Sequence, residues 1–223
     1  MTSTLLGRRQ FLGGAAALST LALAGCASTS RPRVAAAPID RVPPDVRLMY
    51  GPRPEEEFPL PAARIDIVPA AYWRQEIDNT TGEKAGTVVV DTANRYCYVV
   101  LPGGTRAMRY GVGIGRDGFS WSGRARIAYK RKWPTWTPPS EMIKRQPELE
   151  QYRNGMPPGL QNPLGARALY IFQNGKDTLY RLHGNPEENS IGRAVSSGCV
   201  RFLQQDIIDV YERVPSGAAI LVV

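Results

Sequence analysis

Apolar residues from Thr87 onward come in short runs cut by glycine, proline and asparagine. Thr87-Val88-Val89-Val90-Asp91 is a continuous β-branched run, Thr92-Ala93-Asn94 a turn, and Tyr96 to Leu101 the next run. Pro102-Gly103-Gly104 turns the chain into a third strand, Thr105 to Val112. Ala125 to Lys132, Ala168 to Phe172 and Thr178 to His183 repeat the pattern, with Asn174-Gly175 as a turn and alternating polarity up to His183. Ala219 to Val223 closes as a strand. Short strands with tight turns at this spacing predict a mainly β fold, an antiparallel sandwich or barrel-like sheet with short helices. The spacing of apolar positions predicts an amphipathic helix over Asp206 to Val214. A short helix is expected over Ser140 to Gln146 with Ser140 as N-cap, extended past a kink by Pro147 to Tyr152. Trp133 to Pro163 is the longest interruption of the strand pattern, a loop insertion that is either a substrate wall or surface decoration; Trp133 and Trp136 favour the wall.

Residues 1–26 read as a targeting segment rather than as structure. Gly7-Arg8-Arg9-Gln10-Phe11-Leu12 resembles a twin-arginine export signal. The apolar run Phe11 to Ala24 is shorter than the roughly 20 residues of a membrane span. It ends in Leu23-Ala24-Gly25-Cys26, which resembles a bacterial lipobox with Cys26 as the lipidated residue; ordinary signal cleavage nearby is the alternative. An exported, periplasmic protein follows, tethered to a membrane if Cys26 is acylated. Residues 27–85 read as a linker and N-terminal arm: Ser28 to Ala63, rich in Pro, Ala and Arg, predicts an extended linker with polyproline character and little helix, a packed arm being the alternative. Ile65-Asp66-Ile67-Val68 and Tyr72-Trp73 point to an arm that packs in its later part. Residues 86–223 form the expected domain.

The formal charge of +8 suits an anionic polymer or surface. No basic run interleaved with aromatics points to nucleic acid. Gly113-Ile114-Gly115-Arg116-Asp117-Gly118 spells a dinucleotide fingerprint, but Phe119-Ser120-Trp121-Ser122-Gly123 is poor helix material, so a hairpin loop is expected and no nucleotide. The chain holds one histidine and three cysteines. A single His and a single Cys cannot supply a zinc site, so neither metal nor cofactor is expected. Cys97 lies in a strand run and reads as a small buried hydrophobe. A Cys97–Cys199 disulfide is the structural alternative for an exported chain.

The remaining chemistry gathers between His183 and Phe202. Cys199 follows His183 by sixteen positions, inside Val195-Ser196-Ser197-Gly198-Cys199-Val200-Arg201. A thiol attacks only as the thiolate, and an imidazole is the usual group to take its proton. Small residues before Cys199 let backbone N–H groups approach a reacting carbonyl, as an oxyanion hole requires. The residues therefore point to Cys/His acyl transfer. For the group that orients His183, Asp177, Asn185 and Glu187 stay open.

His-Gly followed at this separation by Ser-x-Gly-Cys-x-Arg resembles the signature of the L,D-transpeptidases of YkuD/ErfK type. Trp133-Pro134-Thr135-Trp136-Thr137-Pro138-Pro139 and Asn162-Pro163-Leu164-Gly165-Ala166-Arg167-Ala168-Leu169 extend it, so that it covers roughly Gly86 to the C-terminus. The resemblance implies Cys199 as nucleophile, His183 as proton carrier and the Gly184 carbonyl as its orienter. It implies backbone N–H groups of Ser197, Gly198 and Cys199 around an oxyanion. Arg201 either binds a substrate carboxylate or holds its loop, and Trp136 is a candidate substrate contact. The implied reaction cleaves the bond to terminal D-Ala in a peptidoglycan tetrapeptide stem through a Cys thioester. It ends in a 3→3 cross-link, or in another acceptor such as water. Carbapenem sensitivity follows from the same resemblance. A cell-wall-binding lipoprotein with a structural Cys199 is the reading from another class. Asn185-Pro186 and Phe202 depart from residues common in the family.

Overall fold

The computed structural model describes residues 42–115, 121–196 and 198–223. The export signal, Cys26 and Ser197 lie outside the described residues. The order is α1 (Pro44–Met49), β1 (Gln75–Asp78), β2 (Val88–Asp91), β3 (Tyr96–Val100), β4 (Arg106–Gly111), β5 (Ile114–Gly115), β6 (Gly123–Lys132), α2 (Ser140–Arg145), β7 (Arg167–Gln173), β8 (Lys176–Gly184), β9 (Ala194–Ser196), β10 (Val200–Phe202), α3 (Gln204–Arg213) and β11 (Ala219–Val222). Among the described residues the chain is mostly β with few helices, and no helix is long and apolar enough to cross a membrane.

Nine strands form one sheet in the order β1-β4-β3-β2-β11-β6-β7-β8-β10, and β5 pairs with β9 in a second, two-stranded sheet. Most pairs are antiparallel, but β10 runs parallel to β8 and β11 parallel to β2. Parallel neighbours need crossover connections. Residues 185–199 make one, and α3 lies in the return to β11. The loop of the hairpin expected around the Gly113 motif lies outside the described residues, and among the described residues β5 and β6 do not pair with each other. β5 pairs with β9, while β6 pairs with β11 and β7. Gly113 instead serves close packing: a Cβ there would lie 2.7 Å from the Ser190 carbonyl oxygen.

The core gathers Val88, Val90, Val99, Tyr110, Ile127, Leu169, Ile171, Leu182, Val200 and Phe202 beneath Ile207 and Val210 of α3 and Val214 just past its end. Leu182, Val200 and Phe202 turn inward, so residues of opposite parity on β8 and β10 reach the other face. Cys97 is fully buried and a free thiol; the disulfide alternative is absent.

Two local expectations give way. Pro139, not Ser140, caps α2, because Ser140 is already helical and makes no capping bond. Between Val42 and Ala63 the Pro-rich stretch is folded rather than extended, and the packing expected from Ile65 on is found. Pro44 starts a short helix at the position where its missing N–H costs nothing. Val42, Tyr50, Ile65 and Val68 then bury against Ile191 and Leu203. The Tyr50 hydroxyl donates to Asp206, and the Gln205 amide reaches the carbonyls of Gly51 and Pro61. The arm ends as β1, an edge strand on β4.

Candidate active site

His183 lies near the end of β8, and Cys199 immediately precedes β10. The parallel register sets Val200 beside Leu182, Arg201 beside His183 and Phe202 beside Gly184. Continued by one residue, it brings Cys199 beside Arg181. Cys199, Arg181, Arg201 and His183 therefore share the face opposite the core. Cys199 is one strand across and two residues back from His183, a Cα separation of about 8 Å. Gly113 closes the far side of β10, exchanging both backbone hydrogen bonds with Arg201 at 2.9 and 2.8 Å.

His183 is buried, and its Nδ1 lies 2.6 Å from the Gly184 carbonyl oxygen. An oxygen there accepts from Nδ1–H, which leaves Nε2 as the basic nitrogen. Burial pushes the imidazole pKa down to about 4, against the Gly184 hydrogen bond and with the Arg201 charge. The imidazole is therefore neutral near pH 7. Cys199 is half-buried, with Sγ 3.8 Å from the Leu179 carbonyl oxygen. Burial pushes its thiol up, while the Arg181 backbone N–H and the guanidinium charges of Arg181 and Arg201 pull it down. Burial thus favours the neutral imidazole at His183 and the protonated thiol at Cys199.

A family model described as the L,D-transpeptidase catalytic domain, YkuD, matches residues 85–223. The chain belongs to this family. Among curated relatives, probable L,D-transpeptidase YbiS of Escherichia coli (strain K12) is 32% identical over 138 residues, covering 60% of this chain and 43% of the relative. Probable L,D-transpeptidase ErfK/SrfK of the same strain is 31% identical over 144 residues, covering 61% and 43%. The chain thus spans less than half the length of these relatives. A solved structure from Brucella melitensis, named a probable carnitine operon oxidoreductase caia, is 40% identical. It covers 68% of this chain and 94% of that one, with a TM-score of 0.49. An L,D-transpeptidase from Mycobacterium smegmatis is 21% identical, covering 61% and 58%, with a TM-score of 0.45. With both scores below 0.5, the family assignment rests on the family model and not on these overlaps.

Within the YkuD domain the three candidate orienters of His183 are otherwise engaged. Asp177 holds the Arg181 guanidinium through both oxygens at 2.7 Å. Asn185 donates to the Glu187 carbonyl and to Ser190 Oγ. Glu187 takes Nη1 of Arg201 at 2.8 Å. Of the two roles open for Arg201, this ion pair is the loop-holding one. Gly198 sits at φ 130°, backbone that L side chains rarely adopt, and a Cβ would meet the Tyr180 ring at 3.2 Å.

The insertion reaches the histidine through Pro163, whose backbone carbonyl hydrogen-bonds the ring. Trp136 is half-buried and exchanges backbone hydrogen bonds with Met156 at 3.0 and 2.7 Å. Trp133 does not face substrate. It is buried, packs against Phe58 with the rings tilted by 60° and 4.9 Å between centroids, and donates Nε1–H to Glu56. Its ring anchors the arm.

Three positioning residues escaped sequence reasoning as such. The Asn162 amide ties the insertion by donating to the carbonyls of Pro134, Met156 and Pro157. Gln204 accepts from the Ala166 N–H at 2.9 Å and fills the space beside Gly165 and Gly184. Leu179 lies in a bulge of β8 at φ 63°, with its side chain 76% exposed. An amide in a motif beside glycines was the available signal for Asn162; nothing local marks Gln204 or Leu179.

Proposed function

We propose that this chain is an exported L,D-transpeptidase that acts on peptidoglycan stem peptides through a Cys199 thioester. The observation that carries the reading is the parallel β8/β10 register, which brings Cys199 and a neutral, Gly184-bound His183 to the same face of the sheet in a YkuD domain. His183 takes the thiol proton as Sγ attacks the carbonyl of stem residue 3. Backbone N–H groups of Gly198 and Cys199, with Ser197, take the oxyanion. Collapse breaks the bond to D-Ala, and the departing amine leaves with the proton from His183. An amine of a second stem then attacks the thioester, gives its proton to His183 and restores the thiol as the 3→3 bond forms.

A neutral pair suits this sequence. The imidazole stays unprotonated, and so able to accept a proton, throughout the physiological range, and the thiol is activated only as it reacts. Trp136, on the wall, is the proposed substrate contact. The leader supports export, with Cys26 as the lipid attachment point. Mass spectrometry of the purified chain with tetrapeptide stems tests the reaction. D-Ala release with a Cys199-dependent stem dimer is expected. Release without dimer would make the chain a hydrolase of the same stems. No release, with stems still bound, would leave a cell-wall-binding protein.

A further inference from the structure

The sheet face that carries Cys199 continues inward as one cross-strand row. Arg181 pairs with Tyr170 of β7, and Tyr170 with Tyr129 of β6. The row beside it runs from Arg201 through His183 and Ala168 to Arg131. Strands lie about 4.8 Å apart, so the Cα atoms of Tyr170 and Tyr129 sit about 10 and 14 Å from that of Cys199, three to four residues of extended peptide.

These side chains stack on one another. The rings of Tyr129 and Tyr170 are 4.3 Å apart and 16° from parallel, and Phe172 meets Tyr129 at 5.9 Å. The Arg181 guanidinium caps Tyr170 at 4.5 Å, and that of Arg131 lies 5.7 Å from the Tyr129 ring centre. Their hydrogen-bonding capacity is unequal. Arg181 is committed to Asp177 and to the Tyr180 carbonyl. Among the described residues, Arg131 has no carboxylate partner and neither phenol hydroxyl has a hydrogen-bond partner. Tyr129 and Arg131 are exposed and Tyr170 is half-buried. Burial raises the Tyr170 phenol, which keeps it a donor. A guanidinium and two phenol donors, held by stacking along a line from the nucleophile, match a carboxylate on an extended peptide.

We propose that Arg131, Tyr129 and Tyr170 form a carboxylate-binding subsite for the acyl-donor peptide, set on the side of the reacting carbonyl away from the leaving D-Ala. This rests on the stem-peptide reading above and adds a specificity to it: donors with free carboxylates upstream of the acyl carbonyl are preferred over donors amidated there.

The test is calorimetric binding of two synthetic tetrapeptide stems, one with those carboxylates free and one with them amidated, to the full chain carrying Cys199→Ala. The free form is expected to bind about tenfold more tightly. Adding Arg131→Gln or Tyr170→Phe should weaken the free form by about three- to tenfold and leave the amidated form unchanged, and Arg131→Lys should recover part of the loss. Equal affinity for the two stems, no binding of either, or a preference that survives both substitutions would overturn the subsite. Because binding needs no turnover, a failure here is separable from a failure to release D-Ala.

Discussion

Gly184→Ala probes how the histidine end of β8 is held. Gly184 has an ordinary strand conformation, so backbone strain is not at issue. The obstacle is Gln204. A Cβ on Gly184 would fall on its Oε1 and would stand 3.2 Å from its Cδ and 3.1 Å from Ile207 Cγ2. Gln204 must withdraw, which strips the buried Ala166 N–H of its acceptor. An orphaned buried donor costs about 1–3 kcal/mol. Crowding against Ile207 adds about 1 kcal/mol. Restricting the unfolded chain returns about 0.4–1 kcal/mol. The net expectation is a loss of about 1–3 kcal/mol in urea unfolding. Gln204→Ala alone loses the same hydrogen bond. In the double variant the methyl meets no amide, so its cost falls short of the summed single costs by about 1–2 kcal/mol. Additivity within about 0.5 kcal/mol would refute the wedge.

Alkylation by iodoacetamide against pH reports the thiol. Because burial raises the Cys199 pKa above its ordinary 9.0, the thiolate is scarce at pH 7 and the rate should climb through and beyond pH 9. A plateau by pH 7 would contradict the neutral pair, and Cys97 should react only on unfolding. With the His183 pKa near 4, catalysis should hold below the usual imidazole pKa of 6.5 and fail as the pH drops toward 4, read from the acid limb of kcat. Glu56→Gln breaks a buried bidentate pair with Arg167, at 2.6 and 2.8 Å, and weakens the bond from Trp133; unfolding should become easier by about 3 kcal/mol. Leu179→Gly relieves a left-handed backbone while giving up little burial, so thermal unfolding should show a gain of about 0.5–1 kcal/mol.

Periodicity alone carried much of this architecture. The β-branched runs at Val88 and Tyr96 and the apolar spacing of α3 are local signals, and each became the element expected. Parallel pairing was not legible, because nothing in Val200-Arg201-Phe202 says which strand it will join; the crossover through residues 185–199 decides that. The first part of the arm was misread for a related reason, whereas the packing expected at Ile65 and Val68 is found. Proline composition reports backbone stiffness, while Val42 and Tyr50 pack against residues more than a hundred positions away. Trp133 was drawn toward substrate by its neighbourhood in sequence, while Glu56 and Phe58, far upstream, claim it. At the site the reactive residue types and the His-Gly step were visible. The thiol's environment was not, since its burial and its place beside the Leu179 carbonyl are properties of the assembled fold.

The central claim is a covalent bond between Cys199 and the donor stem. Acid quenching of the chain with excess tetrapeptide, followed by intact-mass and peptide mapping, measures it directly. The account predicts an adduct of the stem less its terminal D-Ala on the peptide containing Cys199, lost in Cys199→Ala and cleared when acceptor stem is added. D-Ala release with Cys199 unmodified, or release that persists in Cys199→Ala, would contradict it.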